Sequence, residues 1–95
     1  MDLESIVYLQ PDQVSCELGD DHVILSLSTG VYFGVNELGS FIWKTITDAK
    51  PVREIRDAVL AQYDVTSERC EQDLFALLSR LSAEKLIEIR DPLAS

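Results

Sequence analysis

The chain has 95 residues, 46% of them hydrophobic and 26% charged, with a net charge of −9. That is the size and balance of one globular domain with a modest core, since a chain this short buries only about 60–65% of its unfolded surface. It excludes a bilayer-spanning helix, which needs roughly 20 apolar residues in a row, and it disfavours nucleic acid, whose phosphates an acidic surface repels.

The charge is uneven. Residues 1–43 hold seven acids and no Lys or Arg, while residues 44–95 hold ten acids and eight bases. An acidic half of this kind serves solubility and equally suits a neutral or basic peptide partner. The start, MDLESIVYLQPD, lacks a basic segment of the secretory kind, so the expected location is the cytoplasm. In that compartment Cys16 and Cys70 are expected to be free thiols packed as small apolar groups.

In chain order, residues 1–11 read as a lead-in that Pro11 closes. QVSCEL then alternates Val14, Cys16 and Leu18 with polar neighbours, the period of a half-buried strand. GDD at 19–21 is turn chemistry. HVILSLS sets Val23, Leu25 and Leu27 on one face and Ile24, Ser26 and Ser28 on the other. STG forms a second turn, with Gly30 suited to positive φ. VYFGV follows as a third strand, with Val31, Phe33 and Val35 on one face and Tyr32 and Gly34 on the other. Three short strands joined by tight turns predict an antiparallel meander.

The period changes at Asn36, a good helix N-cap. Leu38, Phe41, Ile42 and Ile46 follow helical spacing, with Trp43 on the flank. Gly39 inside that helix costs about 1 kcal/mol against alanine, so a close neighbouring backbone is expected to compensate. Pro51 opens a second helix with Ile55, Val59 and Leu60 on its apolar face. Thr66 or Ser67 caps a third, with Glu68 near its positive end. Residues 86–90, LIEIR, alternate again as a short strand or an extended tail, and 91–95 are a tail. Strands followed by helices indicate an α+β fold, a three-stranded antiparallel sheet followed by three helices.

Catalytic chemistry is not visible. The single histidine, His22, at a strand start reads as an exposed polar residue. Cys16, Cys70 and His22 lack metal-ligand spacing, and no CxxC or HxxxH occurs. The glycines match neither a phosphate-binding loop nor GxGxxG. The expectation is no catalytic residue, no metal and no cofactor.

Binding is better represented. If VYFGV is an edge strand, it carries none of the usual protection: no Lys, no Pro and no charge. Such an edge templates an added strand from a partner. Gly34 either lets another backbone approach closely or marks a bulge or bend. On the third helix Leu74, Leu78 and Leu81 form the central stripe, Phe75 lies to one side, and Leu77 with Cys70, Asp73 and Arg80 to the other. That last flank is either presented to a partner or part of the core.

TGVYFGVNELGSFIW, followed by helices ending in LFALLSRLSAEKLIEI, resembles the PqqD-like family, the precursor-peptide recognition elements of ribosomally made, post-translationally modified peptide pathways. Thr29, Gly30, Tyr32, Asn36, Gly39, Ile42 and Trp43 match the family pattern, with Val35 where leucine is usual. The resemblance spans residues ~12–90 and implies a winged-helix-like sheet and helix bundle. It also implies that the leader segment of a precursor peptide adds as a strand beside the third strand, its side chains entering a groove against the third helix. The peptide-binding candidates it implies are Val31, Tyr32, Phe33 and Gly34, with Asp73, Leu74, Leu77 and Arg80. By overall likeness the chain is similar to the free-standing proteins of lasso-peptide clusters. Those deliver the precursor to a separate leader peptidase of cysteine-protease type. The alternatives are a PqqD-type peptide chaperone for a radical SAM enzyme in pyrroloquinoline quinone synthesis and, from another class, a winged-helix DNA-binding regulator. The last needs a basic recognition helix, whereas residues 66–85 set Arg69, Arg80 and Lys85 against Glu68, Glu71, Asp73 and Glu84.

Overall fold

A computed structural model describes residues 1–91; residues 92–95 of the expected tail lie outside them. The elements run β1 (Ile6–Leu9), β2 (Gln13–Leu18), β3 (Asp21–Ser26), β4 (Tyr32–Val35), α1 (Glu37–Thr45), β5 (Lys50–Pro51), α2 (Val52–Gln62), α3 (Ser67–Ala83) and β6 (Ile87–Arg90). The strands form two three-stranded antiparallel sheets, β2-β3-β4 and β5-β1-β6. The fold is therefore α+β, with the expected meander and three helices and a second sheet besides.

The meander follows from its turns. Gly19 adopts φ +68° at the first central position of the two-residue β2–β3 connection, where a primed hairpin turn calls for glycine. Gly30, at φ +73°, closes the β3–β4 connection and donates its N–H to the Ser26 carbonyl (2.8 Å). β4 runs almost directly into α1. The side chain of Asn36 caps that helix by accepting from the Gly39 N–H (3.0 Å).

The lead-in is not a passive arm. Residues 6–9 pair with β6 from Ile6↔Arg90 to Leu9↔Ile87. α2 supplies one reason. Its N-cap is Pro51, which offers no side-chain acceptor, and the first N–H groups of a helix need partners from elsewhere. The carbonyls of Ser5 and Leu3 accept from Val52 and Arg53, both at 2.9 Å. Pro51 thus precedes the helix rather than opening its first turn.

α3 begins at Thr66, whose hydroxyl accepts from the Arg69 N–H (3.2 Å). It ends in a Schellman motif: Leu86 N–H donates to Leu81 C=O and Lys85 N–H to Ser82 C=O, both at 3.0 Å. Lys85 sits at φ +60°, where glycine is usual. Leu81 and Leu86 are both buried, which supplies the apolar contact that accompanies this cap. The core gathers Val7, Ile24, Ile42, Ile46, Ile55, Leu74 and Leu78 from both sheets and all three helices.

Three further sequence expectations change. Val14, Cys16 and Leu18 alternate as predicted, but they face outward: Val14 is 51% and Leu18 60% exposed, and Cys16 is exposed. The inward side of β2 and β3 carries Ser15, His22 and Ser26, with Ile24 between them. His22 is buried, not an exposed polar residue, and its Nδ1 hydrogen-bonds the Ser40 hydroxyl of α1 (2.5 Å). Trp43 Nε1 donates to the Ser15 hydroxyl (3.3 Å) on the same side. The helix thus meets the sheet through polar contacts as well as apolar ones. Gly39 is indeed a close-packing position, but its nearest neighbour is the Val35 side chain rather than a backbone.

Candidate functional site

β4 is an edge, with β3 as its partner in the sheet order. The ladder continues from the bond that Ser26 N–H donates to Val31 C=O (3.0 Å). Bonded and non-bonded pairs alternate in an antiparallel ladder, so Ile24↔Phe33 and His22↔Val35 are the bonded pairs. The main-chain groups of Tyr32 and Gly34 therefore point away from β3, toward the open side. Gly34 stays in register opposite Val23, so it marks no bulge. A Cβ placed on it would meet nothing within 4 Å.

Beside this edge lies a groove of about 470 Å³, within the size range of ligand pockets. Phe33, Gly34 and Val35 form one wall, and Cys70, Asp73, Leu74, Leu77 and Arg80 of α3 form the other. Asn36, Leu38 and Gly39 of the β4–α1 junction also line it. The α3 residues recur at helical i, i+3, i+4, i+7 spacing, so one stripe of the helix lines the groove. Leu74 is buried and Leu77 half-buried.

The groove's electrostatics are simple. The Arg80 guanidinium stacks over the Phe33 ring, 5.0 Å from its centroid, joining the two walls. Among the described residues no carboxylate lies within ion-pair distance of Arg80. Asp73 is paired with Arg69 one helical turn away (3.1 Å). Cys70 is buried, not displayed with the rest of its flank. Burial pushes its thiol pKa up, and the nearby Glu71 carboxylate adds to the effect. A raised pKa makes Cys70 a poor nucleophile at neutral pH. Among the described residues no group of three or more His, Cys, Asp or Glu could hold a metal ion.

Of the eight site residues named from sequence, Phe33, Gly34, Asp73, Leu74, Leu77 and Arg80 line this groove. Val31 and Tyr32 do not. Val31 precedes the strand, and Tyr32 is 69% exposed on the outward face with Leu25 opposite it. The junction residues Asn36, Leu38 and Gly39 were missed. Their signal was available: a strand that runs straight into a capped helix makes a wedge, and its first turn must line whatever opens beside the strand.

An open strand edge beside a helix-walled groove defines the architecture, and comparison with known proteins gives the family. The family described as Coenzyme PQQ synthesis protein D (PqqD) matches residues 21–87. The chain belongs to the PqqD family. A solved structure described as "TbiB1 in Complex with the TbiA(beta) Leader Peptide" is 37% identical, with a TM-score of 0.79 over 85% of this chain and 94% of that one. A second, "Lasso peptide synthetase B1 complexed with the leader peptide", shares the fold at 20% identity, with a TM-score of 0.75 over 86% of this chain and 96% of that one. No curated protein matches the chain.

Proposed function

We propose that this chain is a non-catalytic recognition subunit for the leader segment of a ribosomally synthesised precursor peptide, acting in lasso peptide biosynthesis in the cytoplasm. The leader adds as a strand to β4, and the outward main-chain groups of Tyr32 and Gly34 give its register. Alternate leader side chains descend into the groove, where Phe33, Leu74 and Leu77 offer apolar contact and Arg80 a cation with no carboxylate partner among the described residues. The chain then presents the leader to a separate leader peptidase of cysteine-protease type. The observation that carries this reading is the open β4 edge lying directly beside the groove. The 37%-identical structure, itself a leader-peptide complex, supports it. The lasso pathway rests on the overall likeness of the sequence to the free-standing proteins of lasso-peptide clusters, and hand-off to a radical SAM enzyme is the alternative that the family's description suggests. DNA binding finds no support, because residues 66–85, which contain α3, set four acids against three bases.

Fluorescence anisotropy with a labelled leader tests the proposal, with the core half of the same precursor as control. Saturable binding of the leader alone is expected, at nanomolar to micromolar Kd, roughly −8 to −12 kcal/mol. Gly34→Pro is a sharp probe. The Gly34 N–H faces the open side, so proline there spares the β3–β4 ladder while removing one outward donor and crowding the approach. At least about fivefold weaker binding is expected, since one net hydrogen bond is worth about 1 kcal/mol. Unchanged affinity would show that the leader does not use this edge.

A further inference from the structure

Seventeen acids stand against eight bases in this chain, so an arginine has carboxylates to choose from. Arg53 pairs with Glu4, Arg56 with Asp57 and Glu71, Arg69 with Asp73, and Arg90 with Glu88. Arg80 is the exception. Among the described residues no carboxylate lies within ion-pair distance of it, not even Glu84 one turn further along α3. Its guanidinium is held instead over the Phe33 ring of β4, a side chain only 9% exposed. An aromatic face attracts the charge, but it offers nothing in the guanidinium plane, where the five N–H donors lie.

This leaves the groove polarised along its length. Arg80 and Cys70 both line it, ten residues apart on one helix and so about 15 Å apart. Val65, just before the α3 cap, also lines it, and the Cys70 N–H bonds the carbonyl of that cap, Thr66. The Cys70 end is therefore apolar. Asp73 is the other charged side chain in the lining, and Arg69 answers its charge (3.1 Å). The one unanswered charge of the groove, among the described residues, sits at the Phe33 end.

A strand rises about 3.3 Å per residue and points alternate side chains the same way. A length of 15 Å thus takes about four or five leader residues, of which two or three point inward. At the Arg80 end the matching side chain is Asp or Glu, which guanidinium binds by paired, charge-assisted hydrogen bonds. Elsewhere a carboxylate is disfavoured. The chain carries a net charge of −9, and residues 1–43, which include β4, hold no Lys or Arg, so acids along the rest of a leader meet repulsion. The position of an acid is read, not the acidity of the peptide.

We propose that Arg80 is a specificity-determining residue, which selects a leader carrying Asp or Glu at the single strand position that faces the Phe33 end of the groove. The inference rests on the leader-binding function proposed above. Main-chain pairing along β4 is indifferent to side chains and allows the leader to slip. The Arg80 contact removes that freedom, because a slip of one residue turns the carboxylate to the opposite face of the sheet.

The test is a double-mutant cycle read by fluorescence anisotropy. The probes are the labelled leader of the precursor encoded beside this gene and a set of its variants, each with one Asp or Glu changed to Asn or Gln. The proteins are the parent, Arg80→Gln and Arg80→Glu. Arg80→Gln is expected to bind the unaltered leader about tenfold more weakly. One leader variant should show a similar loss against the parent protein and no further loss against Arg80→Gln. With Lys at that same position, the leader should bind Arg80→Glu more tightly than it binds the parent, a reversal that a role confined to covering Phe33 does not produce. Arg80→Gln binding the unaltered leader within about twofold of the parent overturns the proposal. So does a loss of the same size against every leader variant, which would assign Arg80 to holding Phe33 in place. A parent protein that binds no leader overturns the leader-binding function itself, and the inference falls with it; the two preceding results strike the inference and leave that function standing.

Discussion

Replacing Gly39 by alanine sets two effects against each other. Alanine in a helix interior is worth about 1 kcal/mol over glycine, so on propensity alone the change should stabilise α1. Its Cβ, however, would stand 2.7 Å from Val35 Cβ and 3.3 Å from Val35 Cγ1. Carbon atoms in contact prefer about 3.5–4.0 Å, so α1 and β4 must separate by up to about 1 Å. Val35 Cβ is fixed to the β4 backbone, and no rotamer change moves it. Overpacking of this kind costs roughly 1–3 kcal/mol, leaving a net loss of up to about 2 kcal/mol, centred near 1 kcal/mol. Urea unfolding reads this directly. With a slope of roughly 1–1.5 kcal/mol/M for a small domain, the midpoint should fall by about 1 M. Because Val35 and Gly39 both line the groove, leader affinity should fall as well. In a double-mutant cycle with Val35→Gly, which removes the opposing Cβ, the Gly39→Ala penalty should largely vanish. A midpoint that rises on Gly39→Ala would refute the reasoning, since propensity would then outweigh the contact.

Alkylation should separate the two cysteines. Iodoacetamide at neutral pH is expected to modify exposed Cys16 and spare Cys70, whose raised pKa also means that its contribution to stability holds below the ordinary thiol pKa and is lost as pH rises through it; peptide mapping by mass spectrometry checks the first and urea midpoints across alkaline pH the second. Lys85→Gly relieves a side chain held at φ +60° and should raise stability by about 0.5–1 kcal/mol, visible as a thermal midpoint several degrees higher. His22→Ala leaves the Ser40 hydroxyl without its buried partner and should cost about 1–3 kcal/mol, whereas a mutation of an exposed histidine would cost almost nothing.

The parts of the fold that local chemistry controls were legible. Asn36 and Thr66 announced helix starts, Gly30 its turn, and the missing charges of VYFGV its open edge. The groove was expected from the family resemblance, while helical spacing set Asp73, Leu77 and Arg80 on one flank of α3 and left open whether that flank was presented or part of the core. Two parts were not legible, for different reasons. The pairing of Ile6 with Arg90 joins residues too far apart for any local pattern to announce. The outward turn of Val14, Cys16 and Leu18 is a different case. Alternation reveals that a strand has two unlike faces, and the usual rule then assigns the apolar one to the core. Here the other face packs inward through Ile24, Phe33 and Val35 as well as through polar contacts from Ser15 and His22 to α1, so apolar residues are left on both faces and the rule does not choose between them. His22 was misjudged for the same reason, because its partner Ser40 is brought to it only by the packing of α1.

The sheet β5-β1-β6 has a consequence of an architectural kind. Its neighbouring strands β1 and β6 are the first and last elements, with Ile6 opposite Arg90, and none of the residues lining the groove comes from this sheet. The first and last described elements therefore meet at a common anchor, away from the groove and the β4 edge. A domain wired this way is portable. It can be fused through either end, inserted into a larger polypeptide, or circularly permuted with a short linker, while the groove and the β4 edge keep their geometry.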